Sequence, residues 1–367
     1  MVLVELSQIC INYPMFSYSI KEIVDDFLRP KLDRQVREYV KEKLGIDKVF
    51  KIYDFDRIDF SKNDYLEPDV PKNELFLKTA KDLLKKSKQK SGDIGMLITV
   101  NDNNQFLDPA PTVELVSKLG LNEDVRTQNM QGLACSSFSE ALLNSAGYFQ
   151  LNGKSNSMVL IGSMYTDWFL DRLKQIKLVS KKNRADLNNL VYFLIFSDVV
   201  GGTILSKNDK NRIASIDSNE IFSCKDSRKN GYKKASLKLS PSKKNRIIFD
   251  MNLDSKVLKK TVGNLCQKNI RQVEKKTLDE YRKIKVWGLH TAGARFLDYI
   301  TSKCNISKEK VALSYSLMKE TGNTGAVSSL QFIHESIKRK LLLKNEKGCF
   351  IDYGWEGSNI LLFKNRK

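Results

Sequence analysis

The chain has few histidines and prolines, and its cysteines are not paired. Its 367 residues include 2 histidines and 7 prolines, and its 6 cysteines are scattered at positions 10, 135, 224, 266, 304 and 349. No CxxC pair or cysteine–histidine cluster is present, so neither a zinc site nor a disulfide framework is predicted. With 19 glycines as well, the composition excludes collagen-like and proline-rich chains. The cysteine usage is typical of a reducing compartment.

Long apolar runs are also missing from the sequence. No uninterrupted apolar stretch reaches the roughly 18 residues that a membrane span needs, so no membrane span is predicted. The opening MVLVELSQICINYP lacks a basic segment, a long apolar core and a small-residue cleavage site, and it does not predict a signal peptide. Together with the unpaired cysteines, these absences indicate a cytoplasmic protein.

Negative charge is the other shortage. The chain has 62 Lys and Arg against 43 Asp and Glu, a formal net charge of +19, and 41% of its residues are hydrophobic, which predicts a folded, basic protein. A positive excess attracts any polyanion, including phosphorylated cofactors, acidic proteins and nucleic acids, without selecting one. A generally solvated basic surface and a specific anionic partner therefore both stay open.

Short apolar strands alternate with amphipathic helices along the chain, which predicts an α/β fold. The predicted strands are Gly95–Val100, Met158–Ile161, Val191–Phe196, Gly202–Leu205, Arg246–Met251, Ile284–Leu289, Cys349–Asp352 and Asn359–Phe363. The predicted helices cover about 73–90, 111–119, 137–150, 255–282, 292–303, 309–320 and 326–343. Comparable strands and helices in each half predict two units, residues 1–205 and 206–367.

The junction between these units, residues 206–246, is strongly basic. It holds 12 Lys and Arg against 4 Asp and Glu, and its only aromatic residues are Phe222 and Tyr232. A solvated surface excursion is favoured over a docking surface for an anionic partner. With so few aromatic residues for base stacking, a surface for single-stranded nucleic acid has little support.

Cys135 has the most distinctive setting among the cysteines. In QGLACSSFSEALLNSAGYFQ, small residues surround the thiol and an amphipathic helix follows. A thiol at a helix N-terminus lies at the positive end of the helix dipole, which lowers its pKa and favours the thiolate. On the local sequence alone a nucleophile is one interpretation, and a plain core cysteine is the more common one.

The two histidines have different surroundings. His290 ends the predicted strand KIKVWGLH and begins the small-residue turn TAGAR before a helix. Such corners at the C-terminal ends of strands present ligand-facing groups in open α/β sheets. His334 lies in the helical stretch QFIHESIKRK and is interpreted as a surface or packing residue.

Asn323 lies between Gly322 and Thr324 in KETGNTGAVSSLQFI, ahead of a predicted helix. Its side chain could cap a turn at the start of that helix. Its carboxamide could equally donate a hydrogen bond to a developing oxyanion. The local sequence does not favour either interpretation.

The order and spacing of three segments resemble a known family. ACSS around Cys135, GLHTAGARFLD around His290 and GNTGAVSS around Asn323 resemble the condensing enzymes of the thiolase fold. The resemblance is to the ketoacyl synthase III, plant-type 3-ketoacyl-CoA synthase and chalcone synthase-like branch. DIGMLITV, DPAPTVELVSKLGL and FSDVVGGTIL, which keeps Asp198, extend it over most of the chain. It implies two similar βαβαβαββ halves in five layers, α-β-α-β-α, and a homodimer.

The resemblance also implies a role for each residue. Cys135 would be the acyl-accepting nucleophile, His290 the catalytic histidine and Asn323 its partner. The implied reaction is a decarboxylative Claisen condensation, in which Cys135 takes an acyl group from a thioester and a malonyl thioester then loses carbon dioxide at His290 and Asn323. The substrates would be CoA or phosphopantetheine thioesters, with no cofactor or metal, and an acidic acyl carrier protein is an expected partner.

Departures from the family's pattern keep other functions open. Ser197 and Val199 replace two glycines in FSDVVGGTIL, and Glu356 stands where the C-terminal Gly-x-Gly loop should have its second glycine. The first alternative is a thiolase-fold acyltransferase that forms an ester or amide from the acyl group on Cys135. The second is a basic, non-enzymatic binding protein, which would leave the three segments unexplained. No nucleic-acid partner is expected.

Two surfaces are predicted around this site. Tyr165, Trp168 and Phe169 are candidates for a pocket wall, although core packing is favoured for them. The basic stretch 206–246 becomes a candidate docking rim for the phosphates of CoA or for an acidic carrier protein. The rim positions chosen for its test are Lys233, Lys234, Lys243 and Lys244.

Overall fold

A large mixed sheet runs through the computed structural model, which describes residues 2–62, 66–103, 109–132, 134–152, 156–207, 211–225, 235–241, 247–253, 255–276, 278–354 and 357–367. The strands are β1 (Leu3–Asn12), β2 (Phe16–Ser19), β3 (Lys48–Lys51), β4 (Ile94–Val100), β5 (Arg126–Met130), β6 (Asn156–Ser163), β7 (Val199–Ser206), β8 (Ala214–Asp217), β9 (Ile221–Lys225), β10 (Ala235–Pro241), β11 (Ile247–Leu253), β12 (Val286–Leu289), β13 (Lys347–Tyr353) and β14 (Gly357–Asn365). The helices are α1 (Ile20–Glu22), α2 (Arg34–Lys43), α3 (Lys72–Ser87), α4 (Pro111–Leu119), α5 (Ser137–Asn152), α6 (Thr166–Gln175), α7 (Arg184–Ile195), α8 (Ser255–Lys276), α9 (Leu278–Arg282), α10 (Ala294–Lys303), α11 (Ala312–Thr321) and α12 (Val327–Lys338).

The sheet has two halves with related topology. Its strand order is β12-β13-β14-β8-β1-β7-β6-β4-β5, with β9 also pairing with β14. In the N-terminal half β4 is parallel to β5 and β6, while β7 is antiparallel to β6 and β1. In the C-terminal half β12 is parallel to β13, and β14 is antiparallel to β13, β8 and β9. The boundary between residues 205 and 206 remains a prediction.

Helices form layers outside and between these halves. α5 and α12 lie between them, since α5 contacts β4 and β14 while α12 contacts β7 and β13. α3 and α4 cover the outer side of the N-terminal half, and α8, with α10 packed on it, covers β14 and β9. The apolar cluster of the middle layer includes Phe138, Leu142, Leu330 and Phe332. This is the α-β-α-β-α arrangement that the sequence predicts.

One predicted strand is wrong. Residues 191–195 of this run form the end of α7, and Phe196 is its C-cap. The helix begins after Asn183, whose side chain caps it by accepting a hydrogen bond from the Asp186 backbone N–H. Leu190 and the apolar side chains after it are buried or packed against the core. A short apolar run fits a buried helix as well as a buried strand, so periodicity alone does not separate the two.

Other predictions need smaller corrections. The helix predicted over 255–282 is described as α8 and α9 on either side of position 277, which lies outside the described residues, and the helix predicted over 326–343 ends at Lys338. Arg246, predicted to start a strand, lies outside the described residues, and β11 begins at the next position. The antiparallel pair of β2 and β3 and the helices around it were not predicted from the sequence, although α2 has a helical spacing that buries Val36 and Val40.

Candidate active site

Cys135 lies in a short 3-10 turn that leads directly into α5. The thiol is therefore at the N-terminal end of a helix, as predicted. Ser139 Oγ donates a hydrogen bond to Asp352 Oδ2 at 3.0 Å, and Asn359 Nδ2 donates to the carbonyl oxygen of Ser136 at 3.1 Å. These two contacts attach the first turn of α5 to β13 and β14, which fixes where the thiol stands.

The electrostatics around the thiol differ from the expectation. Burial raises the pKa of Cys135, and the carboxylates of Asp102 and Asp352 raise it further. A helix N-terminus acts in the opposite direction, but its effect is smaller than the desolvation of a thiolate next to two carboxylates. Cys135 is therefore a protonated thiol at neutral pH until a base removes its proton.

Asp102 links the segment before Cys135 to Tyr165 through two hydrogen bonds. The Gly132 backbone N–H donates to Asp102 Oδ1 at 2.7 Å, and the Tyr165 hydroxyl donates to Oδ2 at 3.1 Å. Burial raises the pKa of Tyr165, and both Asp102 and Cys135 contribute to that rise. Tyr165 and Phe169 belong to one buried apolar cluster and Trp168 packs against it, so the core packing favoured for these three residues is what the structure shows.

His290 comes directly after β12, and the turn that follows it leads into α10, as predicted. The His290 backbone N–H donates to the Ile351 carbonyl at 3.0 Å, and the His290 carbonyl oxygen accepts a hydrogen bond from the Tyr353 hydroxyl at 2.7 Å. Its ring Nδ1 lies 2.9 Å from Ser328 Oγ. Burial lowers the pKa of His290 to about 3, so the imidazole is neutral at physiological pH.

Asn323 is fixed through both its backbone and its side chain. Its N–H donates to the Ile195 carbonyl at 2.7 Å, and its carbonyl accepts from the Ser197 N–H at 2.9 Å. Its side-chain Oδ1 accepts from the Gly325 N–H at 2.9 Å. Because the side-chain oxygen is engaged with the chain, the NH₂ group is the part of the amide available to a ligand.

Gly325 joins His290 and Asn323. The Gly325 N–H binds the Asn323 amide, and a hydrogen bond with the Gly325 backbone acts on the His290 imidazole. The φ angle of Gly325 is +56°, and a methyl group on it would stand 2.5 Å from Ser163 Oγ. Only glycine meets both conditions without strain. The two side chains are thus held on one peptide segment.

Two tyrosines lie between Cys135 and the pair formed by His290 and Asn323 in the network of interactions. The Tyr353 and His290 rings meet edge to face with centroids 5.3 Å apart, and Cys135 contributes to the raised pKa of Tyr353. The Tyr165 ring, which also lies within electrostatic range of Cys135, would be 3.8 Å from a methyl group on Gly325. Cys135 therefore lies within electrostatic range of two tyrosines that contact the segment holding His290 and Asn323.

Ser197, one of the departures from the family's pattern, supports this arrangement. Its hydroxyl accepts from the Phe50 N–H at 3.0 Å and donates to the Thr321 carbonyl at 2.6 Å. The next residue, Asp198, accepts from the Tyr165 N–H at 2.9 Å. The serine therefore links β3 to the loop that carries Asn323, a role that a glycine could not have. Of the other two departures, Val199 is buried at the start of β7 and Glu356 lies outside the described residues.

A cavity of about 370 Å³ adjoins the site. Tyr192 lines it, and burial together with Cys135 raises the pKa of Tyr192. Ala292 and Gly293, which line it too, follow His290 by two and three positions. Its wall is apolar in part and basic in part, with Leu44, Ile195, Phe296, Lys43, Lys259 and Arg295 among the lining residues.

The predicted docking rim is only partly within the described residues. Lys233, Lys234, Lys243 and Lys244 lie outside them. Arg212, from the same basic stretch, borders a second cavity of about 400 Å³ together with Lys86 and Arg366. Arg212 also pairs with Glu5. The rim therefore remains a prediction.

The described residues lack two features, a metal-binding cluster and a membrane-spanning helix. In the parts of the chain with assigned structure, no group of three or more His, Cys, Asp or Glu side chains is arranged to hold a metal ion. Across the same residues, the helices are all too short or too polar to cross a lipid bilayer.

Comparison with known proteins connects this geometry to a class. No protein-family model matches the chain. A beta-ketoacyl-acyl-carrier-protein synthase III of Clostridium botulinum (strain 657 / Type Ba4) is 24% identical over 355 residues, 90% of each protein. A type III pentaketide synthase from Neurospora crassa superposes with a TM-score of 0.79 at 15% identity, covering 99% of this chain and 100% of that one. The 3-oxoacyl-(acyl carrier protein) synthase III of Pseudomonas aeruginosa PAO1 superposes with a TM-score of 0.73 at 13% identity, covering 99% and 98%.

The chain therefore has the thiolase fold, and its similarity to these proteins supports the predicted resemblance to the condensing enzymes of that fold. Within that class, its curated relatives carry the name beta-ketoacyl-acyl-carrier-protein synthase III.

Proposed function

We propose that this enzyme is a 3-oxoacyl thioester synthase, which joins an acyl thioester to a malonyl thioester with loss of carbon dioxide. The observation that carries the proposal is the pairing of a neutral imidazole and a fixed carboxamide on one glycine peptide, with a thiol close by. Two uncharged donors suit an oxygen that becomes negative during the reaction. The thiol suits the temporary storage of an acyl group.

In the first half-reaction Cys135 takes the acyl group. Because its thiol is protonated at rest, a base must remove the proton as the sulfur attacks the thioester carbonyl. His290 has the neutral imidazole that this requires. The carbon–sulfur bond of the incoming thioester breaks, the acyl group stays on Cys135, and the departing thiolate receives the proton.

In the second half-reaction a malonyl thioester binds in the same space. Its carboxylate leaves as carbon dioxide, and the two electrons of the broken carbon–carbon bond form an enolate. The imidazole N–H of His290 and the NH₂ of Asn323 donate to the enolate oxygen. The enolate carbon attacks the acyl carbonyl on Cys135, the acyl–sulfur bond breaks, and the 3-oxoacyl thioester departs.

The cavity beside the site supports thioester substrates that carry phosphate. Its apolar side chains suit an acyl or pantetheine arm, and Lys43, Lys259 and Arg295 would attract the phosphates of CoA or phosphopantetheine. The names of the curated relatives specify an acyl carrier protein, so we include an acidic carrier protein as a partner. A cytoplasmic homodimer that needs no metal or other cofactor completes the proposal, and the six free cysteines support the reducing compartment.

The test is product analysis with purified enzyme, a panel of acyl-CoAs and malonyl-CoA. The proposal predicts one carbon dioxide and one 3-oxoacyl thioester per condensation, with no 3-oxoacyl thioester formed by Cys135→Ala. Acyl carrier protein loaded with each substrate should replace CoA in the same assay. Absence of a 3-oxoacyl product with every chain length and both carriers would contradict the proposal.

A second function is favoured by one electrostatic interaction, that between the Asp102 carboxylate and Cys135. A carboxylate there could accept a proton from an alcohol or amine that attacks the acyl group, which would give an ester or amide without condensation. The two functions separate when malonyl-CoA is omitted. Acyl transfer to an added alcohol or amine would continue, whereas condensation would stop. The remaining alternative, a non-enzymatic basic binding protein, predicts neither product.

A further inference from the structure

Ser163 is the last residue of β6 and lies beside Gly325. It is completely buried, and its hydroxyl has no hydrogen-bond partner among the described residues. A buried hydroxyl without a partner lowers stability, because it has lost its hydrogen bonds to water and gained none in return. Native proteins keep few such groups, and one next to a reaction site points to a ligand atom that completes it.

The position of the hydroxyl specifies the ligand atom. A methyl group on Gly325 would be 2.5 Å from Ser163 Oγ and 2.9 Å from its Cβ, so this side chain is packed against the Gly325 peptide. The same peptide segment binds the Asn323 amide and the His290 imidazole. The hydroxyl therefore lies beside the peptide segment that holds the Asn323 amide and the His290 imidazole, and its proton can rotate toward a ligand bound there.

We propose that Ser163 is a third hydrogen-bond donor to the thioester oxygen of the malonyl substrate, beside His290 and Asn323. This inference rests on the proposed function, because it assigns a group to the second half-reaction. The hydroxyl finds its partner when the malonyl thioester binds, and its bond becomes stronger as the oxygen turns negative. Its effect is therefore on decarboxylation rather than on the acylation of Cys135.

The test compares Ser163→Ala with Ser206→Ala. Ser206, on the neighbouring strand β7, is also buried with an unpartnered hydroxyl among the described residues, and it lies at the far end of that strand from the site. Thermal unfolding, acylation of Cys135 by acyl-CoA and release of carbon dioxide from malonyl-CoA are measured for each variant. Ser163→Cys, which keeps a side chain of similar shape with a weaker donor, is measured as well.

For Ser163→Ala we expect an unfolding temperature equal to or above that of the wild type, an unchanged acylation rate, and decarboxylation slower by about tenfold to a hundredfold. Ser163→Cys should fall between the wild type and Ser163→Ala in decarboxylation. Ser206→Ala should also have an unfolding temperature equal to or above that of the wild type, and it should leave both half-reactions unchanged. A gain in stability with a loss of decarboxylation is a pattern that a merely structural serine would not give.

Three results would overturn the inference. Wild-type decarboxylation in Ser163→Ala would show that the hydroxyl does not contact the reacting oxygen. An equal loss of acylation and decarboxylation, or a clear fall in the unfolding temperature, would show a structural role instead. If the wild-type enzyme neither acylates nor decarboxylates, the proposed function fails and this inference fails with it. If the wild type is active and only the Ser163→Ala result disagrees, the inference alone fails.

Discussion

Cys135 and the His290–Asn323 pair are held in different ways. The pair is almost fully buried, is anchored through backbone hydrogen bonds on several elements, and shares the Gly325 peptide. Cys135 keeps some exposure, and desolvation together with the charges of Asp102 and Asp352 raises its pKa. The side that would stabilise an enolate is therefore organised in advance, whereas the nucleophile must be activated when a substrate arrives.

Removal of the Asn323 amide should have the largest effect on the second half-reaction. Asn323→Ala should slow malonyl decarboxylation by about 10²–10³-fold, because one donor to the developing oxyanion is lost. Acylation of Cys135 should change little, since the amide acts in the second half-reaction. His290→Ala should show the same loss in decarboxylation with a smaller loss in acylation. Rates of carbon dioxide release and of adduct formation measure the two steps.

Asn365→Ala is the matched control for that substitution. Asn365 is also buried and donates from Nδ2 to the Leu342 carbonyl at 2.8 Å, but it lies at the end of β14. It should lose stability without a selective loss of decarboxylation. Equal loss of both half-reactions in Asn323→Ala would mean that the residue only maintains structure.

The rigidity of the pair can be tested at Gly322. Its φ angle is +66°, and a methyl group there would lie 2.5 Å from the Ile195 carbonyl oxygen, which accepts the hydrogen bond of the Asn323 N–H. Gly322→Ala should lower the free energy of unfolding by about 2–5 kcal/mol, from positive φ and from overpacking. Decarboxylation should fall as the amide moves.

Gly120→Ala is the comparison at a glycine of the left-handed region, with ψ +44°, whereas Gly322 has ψ −156°. Gly120 has a similar φ of +59°, but a methyl group would meet nothing within 4 Å. It should cost about 1–2 kcal/mol, and decarboxylation should be unchanged. Denaturant unfolding of both variants gives the comparison, and equal losses of stability would contradict the crowding at Gly322.

The resting state of Cys135 gives the smallest expected effect. Because its pKa is raised, the thiolate fraction should increase tenfold per pH unit through neutrality, and so should the rate of alkylation by iodoacetamide. Asp102→Asn removes one negative charge, which lowers that pKa and should increase the alkylation rate at pH 7 by about threefold to tenfold. Cys135→Ser supplies the background from the other cysteines. A rate that is already constant between pH 6 and pH 8 would indicate a thiolate at rest.

The sequence was sufficient to predict the residues at element ends. Cys135, His290 and Asn323 each stand in a small-residue turn before a helix, and such turns are visible in a local window. The arrangement of layers followed from the family resemblance that these segments carry. The strand predicted at Val191–Phe196 was wrong because burial on all sides removes the periodicity that identifies a helix.

The residues that support the site were not predictable in this way. Ser139 and Asp352 are 213 positions apart, and Ser197 and Thr321 are 124 positions apart. Their roles depend on contacts that only the folded chain creates. Ser197 shows this most clearly, since its replacement of a family glycine is a departure in the sequence and a hydrogen-bonding residue in the structure.

The central claim is that Cys135 carries an acyl group which the malonyl substrate then removes. Intact-mass measurement of the enzyme after incubation with an acyl-CoA panel tests it most directly. The wild type should gain the mass of one acyl group, Cys135→Ser should gain none, and addition of malonyl-CoA should return the wild type to its original mass. An unmodified wild-type mass with every acyl chain, on CoA and on carrier protein alike, would contradict the claim.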